Sequence, residues 1–190
     1  MSEDLFDEKE YAEPLTIAEY VVADSGYEFN PVPVGSPIIS FVIPSGMGGE
    51  CEATVEHFAA TRMLRLTASA VSSPVQPYLE VGLMQLMNEL NLRFVGMCFT
   101  YDENDQEGDL IEISTSCFTA GNKATDDSLR FMLLHLETIL KVTLPVIYQY
   151  VSQKPICTFD DENRLCTLRV RISVEDVLEM LEVGPVIGHA

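Results

Sequence analysis

The chain has 190 residues, of which 47% are hydrophobic, and 30 acidic residues against 11 basic ones give a net charge of −19. An apolar fraction of this size is typical of a globular protein, and the length allows one hydrophobic core with an appendage. A field this negative repels phosphate backbones, so the composition argues against direct binding to nucleic acid. It suits a basic protein partner, although solubility alone would also account for it.

The chain start and the cysteines indicate a cytoplasmic protein. Residues 1–13 carry six acids and one lysine, unlike the basic and then apolar start of a signal peptide, and they predict a flexible acidic arm. The five cysteines are odd in number and lack a CxxC pair, which favours reduced thiols. The most apolar stretch, residues 125–151, is interrupted by Arg130, Glu137 and Lys141, so we expect no membrane span.

Hydrophobic periodicity predicts an α+β fold, with a main domain over residues 14–151 and a C-terminal extension over residues 152–190. The main domain is expected to contain a helix, a three-stranded antiparallel meander, a helix, a β-hairpin and a long helix. The predicted ranges are 14–23 for the first helix, 27–34 for an edge strand broken by prolines, 37–43, 51–58 and 62–71 for the meander, 75–91 for the second helix, 95–101 and 109–119 for the hairpin, and 125–151 for the long helix.

The extension predicts a second hairpin, from strands at 156–159 and 164–172, and a final helix capped by Ser173. If residues 160–163 form a four-residue loop, Cys157 and Cys166 face each other across the hairpin. Such neighbours could be oxidised to a disulfide. Two reduced, packed thiols are the alternative in a reducing compartment.

The long helix is unusually apolar. At 100° per residue Leu136 and Leu140 share one face with most of its leucines and isoleucines, and Phe131 widens the apolar arc to more than half the circumference. A single sheet cannot easily cover so wide an arc, so the helix is predicted to need a further element or a second chain. Thr125 is predicted to cap the helix, and Pro145 to kink or break it.

No pattern of catalytic, cofactor or metal-binding residues emerges from the sequence. The acidic loop 102–109 invites a calcium hypothesis, but neither register of an EF-hand supplies the required residues. Residues 46–49 are glycine-rich but lack the Lys-Ser/Thr of a phosphate-binding loop, and they predict a flexible connection. The histidines His57, His135 and His189 are widely separated, so we expect no metal, no cofactor and no enzymatic activity.

One motif resembles a known family. The sequence LMNELNLRF, which starts at Leu86, leads into the glycine-started strand GMCFTYDEN, and a polar-tipped hairpin and an apolar helix ending in Leu144-Pro145 follow. This order resembles the YbjN-like proteins of bacteria, which share the fold of type III secretion chaperones. The resemblance covers residues 15–151. It implies a non-enzymatic protein that binds other proteins, commonly as a homodimer, and holds an extended client segment across its apolar surface.

These observations together predict a chaperone-like adaptor that binds a basic segment of another protein, for example a nucleic-acid-binding or stress-response protein. An acidic regulatory or metal-sensing protein that uses loop 102–109 is the alternative. The C-terminal extension would either cover the long helix of its own chain or cross to a partner protomer. The residues predicted at the client or dimer interface are apolar and helical: Val81, Met84, Phe131, Leu136, Leu140 and Ile147.

Overall fold

The predicted α+β class and order of elements are confirmed by the computed structural model, which describes residues 13–33, 35–72, 74–102, 109–159 and 164–183. Predictions for the arm 1–12, the loop 103–108, the tip 160–163 and the tail 184–190 fall outside these residues. The strands are β1 (Phe29–Asn30), β2 (Ile38–Pro44), β3 (Glu50–Phe58), β4 (Met63–Ser72), β5 (Cys98–Asp102), β6 (Asp109–Phe118), β7 (Ile156–Phe159) and β8 (Leu165–Arg169). The helices are α1 (Pro14–Asp24), α2 (Pro77–Arg93), α3 (Asn122–Val151) and α4 (Val174–Val183).

Six strands form one antiparallel sheet in the order β1-β2-β3-β4-β6-β5, and β7 and β8 form a separate two-stranded sheet. Side chains alternate between the two faces of each strand. Those on the inner face, such as Phe41, Leu66 and Ile113, are buried in a common core with the helices. The opposite face, which we call the outer sheet face, carries exposed residues such as Glu52 and Arg65. The fold is therefore a two-layer arrangement with one face of the sheet open.

Helix α3 lies on the inner face of the sheet and is covered by its own chain. Leu136, Leu140 and Ile147 are each at most 1% exposed, within the core formed by the sheet, α1, α2 and α4. Their predicted place at an interface does not agree with this burial. The prediction that the helix needs a neighbour assumed a single covering sheet, whereas α1 and α4 of the same chain flank it and supply the additional surface.

The helical part of the C-terminal extension packs on its own chain. Val174, Val177 and Leu178 of α4 belong to the hydrophobic core and lie against α2 and α3. Close packing of these helices depends on Gly82 of α2, where an added Cβ would lie 1.9 Å from Oη of Tyr150. Helix α4 thus takes the first of the two places expected for the extension.

Ser173 caps α4 as predicted. Its Oγ accepts a hydrogen bond from the backbone N–H of Asp176 at 3.1 Å, and Oδ2 of Asp176 accepts one from the backbone N–H of Ser173 at 2.7 Å. This reciprocal pair is a capping box, which satisfies two backbone donors at the start of a helix.

Two predictions for α3 need correction, the capping residue at its start and the break near its end. The helix begins at Asn122 after Gly121, so Thr125 is not its cap but lies in its first turn, where Oγ1 accepts a hydrogen bond from the backbone N–H of Ala120 at 3.2 Å. At the other end, α3 continues through Pro145 to Val151 without a break, and the other predicted outcome, a kink at Pro145, stays a prediction. Packing of its buried face along its whole length outweighs the single hydrogen bond that a proline removes.

The glycine-rich turn between β2 and β3 is a close-packed contact and not the loose connection predicted. Ser45 closes it, donating from its backbone N–H and its Oγ to the carbonyl of Gly49, each at 2.9 Å. Gly46 has a φ of +79°, and a Cβ there would lie 2.5 Å from Cα of Lys141 in α3. Glycine is needed both for the left-handed backbone and for this approach to the helix.

The register of the second hairpin differs from the predicted one. Cys157 pairs with Leu168, not with Cys166, and Thr158 pairs with Thr167. An irregularity at Thr158/Phe159 and a hydrogen bond between the two threonine hydroxyls accompany this register. The predicted facing of Cys157 and Cys166 is therefore wrong, and Cys157 is a free, exposed thiol.

Substitution of Leu136 by Asp tests the assigned core face of α3. We expect Leu136→Asp to lower the free energy of unfolding by about 4 kcal/mol, because the charge would be buried without a partner. Phe131→Asp, on the solvent side of the same helix, should cost less than about 1 kcal/mol. Urea unfolding of both variants checks this, and equal losses would show that the face is assigned wrongly.

A polar contact joins the segment after α1 to α3. Glu137 accepts hydrogen bonds from Nζ of Lys141 at 2.6 Å and from Oη of Tyr27 at 2.9 Å. The bond from Lys141, assisted by that from Tyr27, holds the pKa of Glu137 below its ordinary value, although burial opposes the shift. A carboxyl group with a lowered pKa in the folded state stabilises the protein above the unfolded-state pKa, and this contribution disappears as the pH falls through the folded-state value.

We therefore expect the wild-type protein to lose stability on acidification more steeply than Glu137→Gln below the ordinary pKa of a glutamate. Urea unfolding between neutral pH and about pH 3 measures the difference. The exposed Glu19 of α1 provides a control variant, Glu19→Gln. If the Glu137→Gln and wild-type profiles run parallel through the acid range, the assigned contact contributes nothing.

Candidate protein-binding surface

The junction between α2 and β5 is fixed by Asn91, within the motif that carries the family resemblance. Its Nδ2 donates to the carbonyl of Phe99 at 3.0 Å, and its Oδ1 accepts from the backbone N–H of Phe99 at 2.7 Å. The ring of Phe94 lies 5.8 Å from that of Phe99. With the helix end and the strand joined in this way, the chain turns at Gly96 (φ +87°) and leaves Val95 86% exposed.

Across from this turn, the first half of α3 presents an aromatic pair. Phe131 is 65% exposed, and its ring meets that of His135 edge to face at a centroid distance of 5.5 Å. The end of β6 closes the space between the turn and the helix. The result is an open groove of about 540 Å³, which we call the Val95–Phe131 groove. It is lined by Val95, Gly96, Thr115, Ser116, Cys117, Asp127, Ser128, Phe131, Met132 and His135.

The groove combines apolar walls with an acidic rim. Val95, Phe131 and Met132 supply the apolar surface, and Asp127 is the acidic residue among the lining residues. Burial raises the pKa of the Cys117 thiol, so this cysteine is protonated at neutral pH and is a poor nucleophile. Such a lining can hold an apolar side chain next to a lysine or arginine side chain. It offers no activated nucleophile.

The other predicted interface residues divide between surface and core. Val81 and Met84 are 79% and 61% exposed on the solvent side of α2, and Phe131 lies in the groove. Leu136, Leu140 and Ile147 are buried, as described above, and take no part in the surface. A client or dimer role for the three exposed residues stays a prediction.

Val95 and Leu134 were not among the predicted interface residues, although both are exposed. Val95 lies in a turn, where helical periodicity gives no signal. The neighbouring Gly96 is the one feature of the sequence that indicates a turn at this place. Leu134 follows Leu133 in a run of apolar residues, but at 100° per residue it falls outside the arc that holds Leu133 and Leu136, so helical periodicity already favours its outward position.

Asp109, at the end of the acidic loop, is a structural residue. Its Oδ2 accepts hydrogen bonds from the backbone N–H of Val75 at 2.5 Å and from Oη of Tyr101 at 2.9 Å. The buried carboxylate therefore ties β6 to the segment that enters α2. Over the described residues, no group of three or more His, Cys, Asp and Glu could hold a metal ion. The metal-sensing hypothesis rests on residues 103–108, outside this part of the chain, and stays untested.

Helix α3 is, by length and composition, apolar enough to cross a membrane. Core helices of globular proteins meet the same criterion, and its buried residues here pack against the sheet and the other helices. Nothing else in its packing points to lipid.

An antiparallel sheet with its helices on one face, in the observed order of elements, defines an α+β domain with a YbjN-like fold. The crystal structure of YbjN from E. coli, described as a candidate transcription regulator, matches this chain with a TM-score of 0.53 and 12% sequence identity. The match covers 72% of this chain and 96% of YbjN. It confirms the fold implied by the resemblance. No family model matches the sequence, and no curated protein does.

Asn91 provides a test of how the groove is built. Asn91→Ala removes both hydrogen bonds to Phe99, and we expect it to lower the free energy of unfolding by about 1–3 kcal/mol. Hydrogen exchange at the Phe99 amide should accelerate more than exchange at amides of β3. Asn88→Ala, at an exposed position of the same helix, serves as the control. Uniform acceleration over the whole sheet would contradict a local role for Asn91.

Proposed function

We propose that this protein is a non-enzymatic, chaperone-like adaptor of the cytoplasm, which acts as a homodimer and binds a basic, partly apolar segment of another protein. The observation that carries the proposal is the exposure of Val95 and Phe131 on opposite walls of one groove. Exposed apolar side chains that line a common depression are typical of interaction sites.

The size of the groove limits what it can achieve alone. Burying an apolar side chain contributes about 1.5–3 kcal/mol, whereas micromolar affinity requires about 8 kcal/mol before the costs of association. Two or three side chains of a client would therefore not suffice. The groove must act together with further contacts along the same surface.

Strand β5 supplies such contacts. It is the last strand of the sheet, and it begins two residues after Gly96 of the groove. Cys98 and Thr100 of this strand are exposed. An extended client segment that places one side chain in the groove could continue along β5 and contact the exposed side chains of Cys98 and Thr100.

Charge supports a basic client. With a net charge of −19, the protein attracts cationic segments over several ångströms and accelerates their association at low salt. Asp127 on the groove rim provides a local partner for a lysine or arginine. YbjN, which shares the fold, is described as a candidate transcription regulator, and proteins that bind DNA carry basic segments of this kind.

Substitutions in the groove test the proposal. Against an array of short peptides of graded charge and apolar content, we expect wild-type protein to select peptides that combine bases with apolar residues, and added salt to weaken their binding. Val95→Asp and Phe131→Asp should each reduce this binding about tenfold or more, because the apolar contact is replaced by a solvated charge.

Val32→Asp is the matched control, since Val32 is 40% exposed beside β1, at the opposite edge of the sheet from β5. It introduces the same charge and should leave peptide binding unchanged. Equal binding by all three variants, or selection of acidic peptides, would contradict the proposal.

A further inference from the structure

The hairpin β7–β8 is exposed on both of its faces. Its strands pair with each other and not with the six-stranded sheet, and Ile156, Leu165 and Leu168 are 46%, 54% and 41% exposed. Every side chain described in the two strands is exposed. A two-stranded hairpin without packing on either face is at best marginally stable in water, so this hairpin needs a surface that covers it.

The base of the hairpin is held firmly, which gives the hairpin a defined direction. Oε1 of the buried Gln153 accepts hydrogen bonds from the backbone N–H groups of Arg171 and Ile172, both at 2.9 Å, and its Nε2 donates to the carbonyl of Ile172 at 3.1 Å. Oη of Tyr78 donates to the carbonyl of Gln153 at 3.0 Å. This hairpin, which we call the β7–β8 arm, loses less conformational entropy on docking than a free segment does, because the residues at its two ends are fixed.

The arm differs in charge from the rest of the chain. Residues 153–172 carry four of the 11 basic residues, Lys154, Arg164, Arg169 and Arg171, and only three of the 30 acids, Asp160, Asp161 and Glu162. Arg169 and Arg171 are exposed, and the four ion pairs formed among the described residues include neither of them. The hairpin therefore presents Arg169 at the end of β8, and Arg171 two residues later, near exposed leucine and isoleucine side chains.

The outer sheet face has the complementary character. Glu52, Ser69 and Glu112 lie side by side across β3, β4 and β6, and none of the helices in the described part of the chain covers them. Arg65 on this face has its guanidinium 4.7 Å from the ring centroid of Phe58. At one end Phe118 is 73% exposed, so the face offers apolar surface as well as carboxylates.

We infer that the β7–β8 hairpin of one copy docks on the outer sheet face of a second copy, and that the two copies exchange hairpins reciprocally. The inference rests on the homodimer of the proposed function and names the surfaces that form it. A two-fold axis repeats each contact, so two small arms together contribute twice the buried area. The arm is exposed on its own chain, and the face that carries Glu52 and Glu112 belongs to the same protein, which favours a second copy over a foreign partner.

Paired charge reversals test this exchange. The arm variant Arg169→Glu/Arg171→Glu and the face variant Glu52→Lys/Glu112→Lys should each sediment as a single chain at concentrations where the wild type sediments as two. We expect each reversal to raise the dissociation constant of the dimer by about 100-fold or more. The control variant Arg62→Glu/Lys123→Glu changes the net charge as the arm variant does, at exposed positions outside both surfaces, and should remain dimeric.

Mixing the two variants is the decisive experiment. In a mixed dimer the β7–β8 arm of the arm variant, now acidic, meets the outer sheet face of the face variant, now basic. The second contact joins the native arm of the face variant to the native face of the arm variant. Both contacts are therefore attractive. We expect the mixture to restore dimers in analytical ultracentrifugation, which also shows that both variants are folded. Failure of the mixture to associate, with both variants folded by circular dichroism, would overturn the inference.

Two further outcomes separate this inference from the proposed function. If the wild type is dimeric and the arm variant stays dimeric, the exchange is wrong and the homodimer stands. If the wild type is a single chain at micromolar concentration, both the exchange and the homodimer are wrong. Binding of basic peptides in the Val95–Phe131 groove is judged separately by its own variants.

Discussion

The architecture depends on how the chain buries one wide, apolar helix. Helix α3 supplies twelve buried residues, and the inner face of the sheet alone cannot reach all of them. Helices α1 and α4 complete the cover from either side, and the contact of Gly46 with Lys141 brings the β2–β3 turn onto the helix as well. Because most of the apolar surface of α3 is used internally, only its narrow outer side, with Phe131 and Leu134, remains for other molecules.

This division places the two proposed surfaces on different layers of the molecule. The Val95–Phe131 groove belongs to the helical layer and the adjoining edge of β5. The outer sheet face belongs to the other layer, where acidic and hydroxyl side chains predominate. The two surfaces meet at β5, because Thr100 pairs with Glu112 of the outer sheet face.

Sequence periodicity identified the elements well because strands of period two and helices of period 3.6 both leave clear apolar patterns. Strand β4, for example, alternates from Leu64 to Ala70, and its apolar residues Leu64, Leu66, Ala68 and Ala70 are buried. Periodicity did not show which apolar residues on α3 would be covered by their own chain, since that depends on α1 and α4 arriving from distant parts of the sequence. It could not place Val95 either, because its exposure follows from the hydrogen bonds between Asn91 and Phe99. The hairpin register cannot be predicted from the length of the loop alone, because an irregularity between Thr158 and Phe159 shifts the pairing of the strands.

Because Gly82 has no side chain, three helices of the helical layer can come into contact beside it. Tyr150 and Val174 occupy the space beside it, so α2, α3 and α4 meet at one point. Helix α2 runs from there for about 16 Å, at 1.5 Å per residue, to its end at Arg93, just before the turn at Val95. A larger residue at this crossing would displace α2 as a rigid body. The turn that follows α2 forms one wall of the groove, so that wall would move as well. The width of the Val95–Phe131 groove is thus set in part by a glycine one helix length away, at the contact with the C-terminal helix.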